Sequence, residues 1–286
     1  MSQFTDDFLA LERPGTAPSE FTVVALMKAY NEADIIEYSL KRLIGEGIDV
    51  YLFDNCSTDN TVELAERFLG RGLIGIERFP KEGRKGHNLY YELQHIEKYA
   101  KHSNADWLIH HDVDEFRESP WPEVSMRDAL YYIDQKGYNC VDHTVVNFKM
   151  IDNDFIPGTD FVRYFRHWKF GRHPGFFVQI KTWKNTTEEV LLAPSGGHSV
   201  TFPSRKVYPY KFLLRHYQFR SEEQASRKGN RDRGDGETGK ITNSSGPNGY
   251  FGKKAVLIQD LSDLEVFDDT FYTKYLLERL TGQNII

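Results

Sequence analysis

Two aspartates one residue apart, at the end of an apolar run, are where this chain most plainly offers chemistry. Trp107-Leu108-Ile109-His110-His111-Asp112-Val113-Asp114-Glu115-Phe116 passes from an apolar strand straight into three carboxylates. Open α/β sheets bind ligands at the carboxyl ends of their strands, and hard divalent cations seek carboxylate oxygens. Asp112 and Asp114 would repel each other unless a cation sits between or beside them. A solvated acidic turn is the plainer reading of the same residues.

Other stretches add to the pattern. Phe53-Asp54-Asn55-Cys56-Ser57-Thr58-Asp59 places a second acid, Asp54, at the end of a short apolar strand, where it could also cap the helix that follows. Late in the chain, His216 lies among Arg215, Arg220 and Lys228, inside a basic stretch that also holds Arg205, Lys206, Lys211, Arg227, Arg231 and Arg233. Such a stretch could form a basic wall for an anionic ligand inside an acidic protein, or a solvated face paired with scattered glutamates.

The elements that must position these residues alternate. Thr22 to Ala29 reads as a buried strand, and Asn31 can cap a helix whose apolar face is Ile36, Leu40, Leu43 and Ile44. Val50 to Phe53 is a second strand, and Ser57 or Asp59 starts a helix with Val62, Ala65, Phe68 and Leu69 facing inward. A strand over Leu73 to Glu77, a helix presenting Leu89, Leu93, Ile96 and Ala100, and the Trp107 strand complete the series. That order means parallel strands joined by right-handed crossovers. Past Ser125, the segments Cys140 to Phe148, Phe161 to Arg166, Phe176 to Lys184 and Ser199 to Phe202 read as mixed or antiparallel strands. Gly229 to Gly252, rich in Gly, Asn, Ser and charge, reads as a mobile loop, and Asp269 to Thr281 as a helix.

Taken together, these stretches and Lys28-Ala29-Tyr30-Asn31-Glu32-Ala33 resemble a family 2 glycosyltransferase, in a non-processive bacterial branch with an Asp-X-Asp-Glu-Phe motif. The likeness also takes in Leu214-Arg215-His216-Tyr217-Gln218-Phe219-Arg220-Ser221-Glu222-Glu223-Gln224 and spans about residues 22 to 233. It implies an α/β fold of the GT-A type, with a Rossmann-like mixed central sheet flanked by helices in a single domain over residues 1–286. Residues 20–125 would form the nucleotide-binding half and residues 126–260 the acceptor and metal-completing half, with the mobile loop 229–252 as a lid over bound donor. Residues 261–286 would be a C-terminal helical segment.

The resemblance also implies roles. Asp54 would accept a hydrogen bond from the nucleotide base, with Asn31 and Glu32 lining the same pocket. Asp112 would lie beside the ribose and share the metal with Asp114, the ligand proper, and His216 would complete the metal or diphosphate contact. A histidine ligand favours manganese over magnesium, so Mn²⁺ (or Mg²⁺) is the expected ion and a UDP-sugar the expected donor. Arg220 and Lys228 would hold the diphosphate. Inverting displacement needs a carboxylate base; Asp152, Asp154, Glu188 and Glu189 lie in the half expected to form the acceptor side, Asp154 is the candidate among them, and Glu115 is a further catalytic candidate within the motif. Asp154 is equally an ordinary loop carboxylate, and Glu115 equally a support behind the metal ligands or a surface group. Gly196-Gly197-His198 resembles another element of this branch, in which His198 could touch acceptor or donor. Trp168, Phe170, Phe176, Phe177 and Trp183 could stack on sugars, although aromatics in strand alternation are usually core. Gln224-Ala-Ser-Arg227-Lys228 echoes the Gln-X-X-Arg-Trp signature of polymerising members, but with Lys in place of Trp.

Two rivals use the same residues. A nucleotidyltransferase on a related sheet also employs paired aspartates but needs a glycine-rich phosphate loop after the first strand, which Lys28-Ala29-Tyr30-Asn31 lacks. A sugar-binding protein that has kept the fold would not need Asp112, Asp114 and His216 intact. Composition narrows the field further. With 286 residues, 40% hydrophobic and 14% aromatic, the chain can bury a substantial core. A net charge of -6 argues against nucleic-acid binding through a general positive field. Cys56 and Cys140 form no disulfide framework or metal spacing, and no apolar run is long enough to cross a bilayer. The N-terminal stretch with Asp6, Asp7 and Glu12 lacks the pattern of a signal peptide. The expectation is a cytoplasmic protein, compatible with peripheral attachment to the inner membrane face, whose partners are a nucleotide sugar and a glycan or lipid-linked acceptor.

Overall fold

The computed structural model describes residues 12–80, 88–121, 123–171, 175–229 and 260–268. Its first half alternates strand and helix: β1 (Val23–Ala29), α1 (Ile36–Gly45), β2 (Asp49–Asp54), α2 (Thr61–Glu66), β3 (Leu73–Arg78), α3 (Leu89–His102) and β4 (Trp107–Asp112). There follow β5 (Glu115–Glu118), α4 (Met126–Gln135), β6 (Cys140–Phe148), α5 (Phe161–Tyr164), β7 (His167–Phe170), β8 (Val178–Lys184), β9 (Phe212–His216), α6 (Glu222–Gly229) and β10 (Glu265–Val266).

The strands form one mixed sheet in the order β10-β7-β6-β8-β4-β1-β2-β3, with β9 pairing both β5 and β6. β1 lies parallel to β2 and β4, and β2 parallel to β3, as the alternating series requires. β8 joins β4 antiparallel, and β6 continues antiparallel from β8. Both faces of β1 are covered, which is why its sequence is almost continuously apolar. Val23, Ala25 and Met27 pack with Ile36 and Leu40 of α1 and Leu130 and Ile133 of α4. Val24 and Leu26 pack with Leu93, Ile96 and Ala100 of α3 on the other side. The result is an α/β sandwich of helix, sheet and helix layers, the fold class expected.

Several local expectations change. Asn31 does not cap α1, whose N-cap is Ile35 without a side-chain bond. Phe161 to Arg166 is not a strand, because the Asp160 carboxylate caps a helical turn there by accepting from the Arg163 N–H. Ser199 and Thr201 make only isolated bridges, to Ile180 and Leu191. Within the C-terminal segment expected to be helical, residues 261–266 form a 3₁₀ turn and β10. The lid expected over 229–252 lies outside the described residues beyond Gly229, as does the helix expected over Asp269 to Thr281. Among the described residues, no helix is long and apolar enough to cross a membrane.

Candidate active site

β1, β2 and β4 run parallel, so the segments that follow them emerge at one edge of the sheet. The first two are stitched together. Asn31, with a left-handed φ of 54°, accepts from the Thr58 N–H at 2.7 Å, and its own N–H donates to Ser57 Oγ at 2.9 Å. Asparagine tolerates that backbone region better than most residues. Glu32 N–H donates to Thr61 Oγ1 at 2.9 Å and Ala33 N–H to Asp59 Oδ2 at 3.2 Å. Asp54, buried at the end of β2, closes its own turn by accepting from Ser57 N–H at 3.1 Å. Burial raises its carboxyl, against the pull of those hydrogen bonds.

The acidic turn is gripped from the second half of the chain. Glu115 of β5 stands opposite His216 of β9, and Asn147 of β6 stands opposite His216 on its other side. His216 Nε2 lies 3.8 Å from Asp114 Oδ1, and its Nδ1 lies 3.1 Å from Asn147 Oδ1. The Asn147 amide nitrogen donates to the Phe176 carbonyl at 2.8 Å, so its oxygen is the atom that faces the ring. The network therefore assigns the proton to His216 Nδ1 and leaves the Nε2 lone pair toward Asp114. Burial lowers the imidazole below its ordinary range, outweighing Asp114 and Glu115, which act the other way.

Around this turn the charges fall into two groups. On the Asp114 side, Lys228 Nζ is 2.6 Å from Asp114 Oδ2 and 3.4 Å from Glu32 Oε1. Arg220 binds Glu32, meets Asp34 at 2.7 Å through Nε, and lies 4.0 Å from Asp114. Burial would raise the Asp114 carboxyl, but the charges of Lys228 and Arg220 beside it hold it down, at about 2. Glu32 moves the opposite way: burial raises it, Asp114 and Asp34 add to that, and Arg220 with Lys228 do not compensate. Among the described residues, two cations here face three carboxylates.

On the Asp112 side the balance reverses. Lys181 Nζ is 2.8 Å from Asp112 Oδ2 and 2.7 Å from Glu115 Oε1, Lys28 Nζ is 3.2 Å from Asp112 Oδ1, and Arg117 Nη2 is 2.6 Å from Glu115 Oε2. Three cations face two carboxylates. Lys181 and Lys28 overcome the burial effect and hold Asp112 well below the usual carboxylate range. Beside it opens a cleft of about 250 Å³ lined by residues that include Lys28, His110, Asp112, Lys181, Ser195 and His198. Two glycines make room for its histidines. A Cβ on Gly197, at φ 86°, would lie 2.9 Å from His110, and one on Gly175, at φ 83°, would lie 2.8 Å from His198.

The structure thus brings together Asn31, Glu32, Asp112, Asp114, Glu115, His216, Arg220 and Lys228, but not always in the roles expected from the sequence. Arg220 is wholly buried, its donors committed to Glu32, Asp34 and the Tyr217 carbonyl, so it ties the loop after β1 to the acidic turn and does not face a diphosphate. Both oxygens of Glu115 are bonded, and the side chain is buried, which removes it as a base. Both oxygens of Asp112 carry lysine ammonium groups, which disfavours it as a metal ligand. Asp154 is exposed in the segment after β6, with no bond to the cluster. The basic wall dissolves into separate pairs, Lys211 with Asp142, Arg215 with Glu118 and Arg227 with Glu223. Arg231 and Arg233 lie outside the described residues. Trp168, Phe177 and Trp183 are core, while Phe170 and Phe176 are half-buried. Sequence reading missed Lys181. Its one signal was a lysine within the strand-like run Val178-Gln179-Ile180-Lys181-Thr182-Trp183.

Among the described residues no group of three or more His, Cys, Asp or Glu side chains is arranged to hold a metal ion. Asp114 Oδ1 and His216 Nε2, facing each other at 3.8 Å on the acid-rich side, form a two-ligand set. That suits a cation whose other positions are filled by phosphate oxygens and water.

The chain matches the model of glycosyl transferase family 2 over residues 24–188. Among solved structures it is similar to Staphylococcus aureus TarS 1-349 in complex with UDP-GlcNAc, at 13% identity and a TM-score of 0.41 over 72% of this chain and 61% of that one. It is also similar to glucosyl-3-phosphoglycerate synthase from Mycobacterium tuberculosis in complex with Mn²⁺, UDP and glucosyl-3-phosphoglycerate, at 18% identity and a TM-score of 0.26 over 37% of this chain and 41% of that one. The chain spans less than two thirds of either structure's length. No sequence among the curated proteins matches it. The family match takes in Asp54, Asp112, Asp114 and Lys181 but stops before His216, and because it covers more than half of the chain, this protein belongs to glycosyl transferase family 2.

Proposed function

We propose that this protein transfers a sugar from a nucleotide-diphosphate sugar, a UDP-sugar in the first instance, to a hydroxyl of a glycan or lipid-linked acceptor, with inversion at the anomeric carbon. The observation that carries this reading is the division of charge at the carboxyl edge of the sheet. The side holding Asp114 and His216 has an excess of acid and two ligand atoms facing each other at 3.8 Å, whereas the side holding Asp112 has an excess of base around a cleft. A divalent cation belongs on the first and phosphate oxygens on the second.

Asp114 and His216 would hold Mn²⁺ or Mg²⁺, and imidazole favours Mn²⁺. When bound, the ion would act as a Lewis acid that neutralises charge on the departing diphosphate. The chain's own residues bind the donor and balance its charge. Lys28, partly exposed at the mouth of the cleft with a single ion pair among the described residues, supplies donors to the phosphates. Lys228, held near Asp114 by α6, adds a second positive charge while keeping that carboxylate ionised. Asp54 and the stitched loops after β1 and β2 form the floor on which a nucleoside would rest. Lys in place of Trp after Gln224-Ala-Ser-Arg227 favours single transfer over polymerisation.

The test is UDP release from a panel of UDP-sugars with Mn²⁺, comparing wild type with Asp114→Asn. Loss of about 3 kcal/mol of transition-state stabilisation, more than a hundredfold in rate, is the expected outcome. Turnover that needs no metal, or an unimpaired Asp114→Asn enzyme, would reject the assignment.

A further inference from the structure

Lys181 is the least expected charge in the molecule. It sits in β8 between the buried side chains of Gln179 and Trp183, and is itself 1% exposed. An ammonium group taken out of water costs several kcal/mol unless its partners are well placed. Two partners are in place, Asp112 Oδ2 at 2.8 Å and Glu115 Oε1 at 2.7 Å. Together they outweigh burial and raise the ammonium above its ordinary range.

The contact belongs to a chain of alternating charge that runs from the interior to the cleft. Arg117 binds Glu115, Glu115 binds Lys181, Lys181 binds Asp112, and Asp112 binds Lys28. Side-chain exposure divides it, with 1% at Arg117 and 2% at Glu115 and Lys181 in the interior, against 27% at Asp112 and 18% at Lys28 at the cleft. The interior end is thus anchored and the outer end meets the cleft. Lys181 is the link between them. Without it, Glu115 keeps Arg117 and Asp112 keeps Lys28, but nothing joins the two carboxylates, and Asp112 is left with the one partly exposed partner at the cleft.

We infer that Lys181 is a positioning residue: it takes, for Asp112 and Glu115, the place a cation would otherwise fill, and so fixes the direction in which Asp112 presents its carboxylate to a ligand in the cleft. The inference rests on the reading of that cleft as part of the donor site. It also divides labour within the acidic motif, with Asp112 served by a resident ammonium and Asp114 left for an exchangeable ion.

A double-mutant cycle on the full-length protein tests it. UDP in the presence of Mn²⁺ is titrated calorimetrically into wild type, Lys181→Met, Asp112→Asn and the double variant, with thermal unfolding run in parallel. Each single substitution is expected to weaken UDP binding by about tenfold or more, and the double to be no more than about twofold weaker than Asp112→Asn alone, because Lys181 acts through Asp112. Lys181→Arg, which keeps donors for both carboxylates, should stay within about threefold of wild type. If Lys181→Met does not fold, Lys181→Gln carries the same cycle with one N–H donor retained. Losses that add, or wild-type affinity in Lys181→Met, would overturn the role of Lys181 while leaving the donor site standing. Failure of the wild type to bind UDP would overturn the donor site, and the inference with it.

Discussion

The two aspartates of the motif stand one residue apart in sequence, yet they face opposite surroundings. Asp112 is bracketed by Lys28 and Lys181 and opens onto a cleft, whereas Asp114 shares Lys228 and Arg220 with Glu32 and Asp34 and faces the lone pair of His216. The difference shows that an Asp-X-Asp sequence is not one metal site with two equal ligands. Strand alternation alone would put residues two apart on one face; the turn at Val113 and Asp114, between β4 and β5, breaks that period and sends the two side chains to different neighbours, and the neighbours decide which one is free for a cation.

The sharpest way to break the contrast is to remove the cation that binds the acid-rich side together. Arg220→Met would leave Glu32, Asp34 and Asp114 short of charge in a buried site and should cost about 3–5 kcal/mol of stability, read by denaturant or thermal unfolding. Lys28→Met on the base-rich side removes one partly exposed ion pair, and its stability cost should stay below about 1 kcal/mol while UDP binding weakens.

Acid should find the buried histidines first. Burial holds His110 down to about 3 and His198 down to about 4, and holds His111 and His143 well below the usual imidazole range. These rings are neutral in the fold, whereas an unfolded histidine protonates near about pH 6.5. Above that pH they contribute nothing to the pH dependence. As pH falls through it toward the folded values, the unfolded chain gains protons and the fold loses about 1.4 kcal/mol per pH unit for each histidine. Asp112, Asp114 and Glu115, whose folded values are depressed, add their loss only below the unfolded carboxylate range of about 4. The melting temperature should therefore decline already between pH 6.5 and 5, and His143→Phe should flatten that decline. A flat profile down to pH 5 would contradict the buried neutral histidines.

A smaller effect separates the two sides by metal affinity. Asn147→Leu removes the acceptor that fixes the His216 tautomer and should weaken Mn²⁺ binding by about 10–100-fold, as measured by titration, without disturbing UDP contacts on the Asp112 side. Smallest of all, Arg227→Ala deletes an exposed i,i+4 pair with Glu223 one residue before Lys228, and should change stability by less than about 0.5 kcal/mol.

What the sequence disclosed follows the same physical division. The parallel half was legible because its strands are buried on both faces and its helices carry one apolar stripe, as in Val23–Ala29 and Leu89–His102. Asp112, Asp114 and His216 stood out because their types are rare beside apolar runs. The partners were not legible. Lys181 reaches Asp112 only because β8 packs antiparallel to β4, a pairing between residues 69 positions apart. Arg220 looked like a phosphate ligand from its neighbours, and only the fold reveals that its donors are spent on acids 186 and 188 positions away. Asn31 has the composition of a helix cap, but its left-handed backbone turns it toward Thr58 instead. Short-range pattern identifies candidates; long-range pairing assigns them.

The most direct measurement is Mn²⁺ binding in the presence of UDP, followed by the electron paramagnetic resonance signal of free Mn²⁺, for wild type, Asp114→Asn and Lys28→Met. Asp114→Asn should abolish metal uptake, and Lys28→Met should keep it while UDP affinity falls. Mn²⁺ uptake unchanged in Asp114→Asn, or lost equally in both variants, would contradict the division of the site into a cation side and a phosphate side.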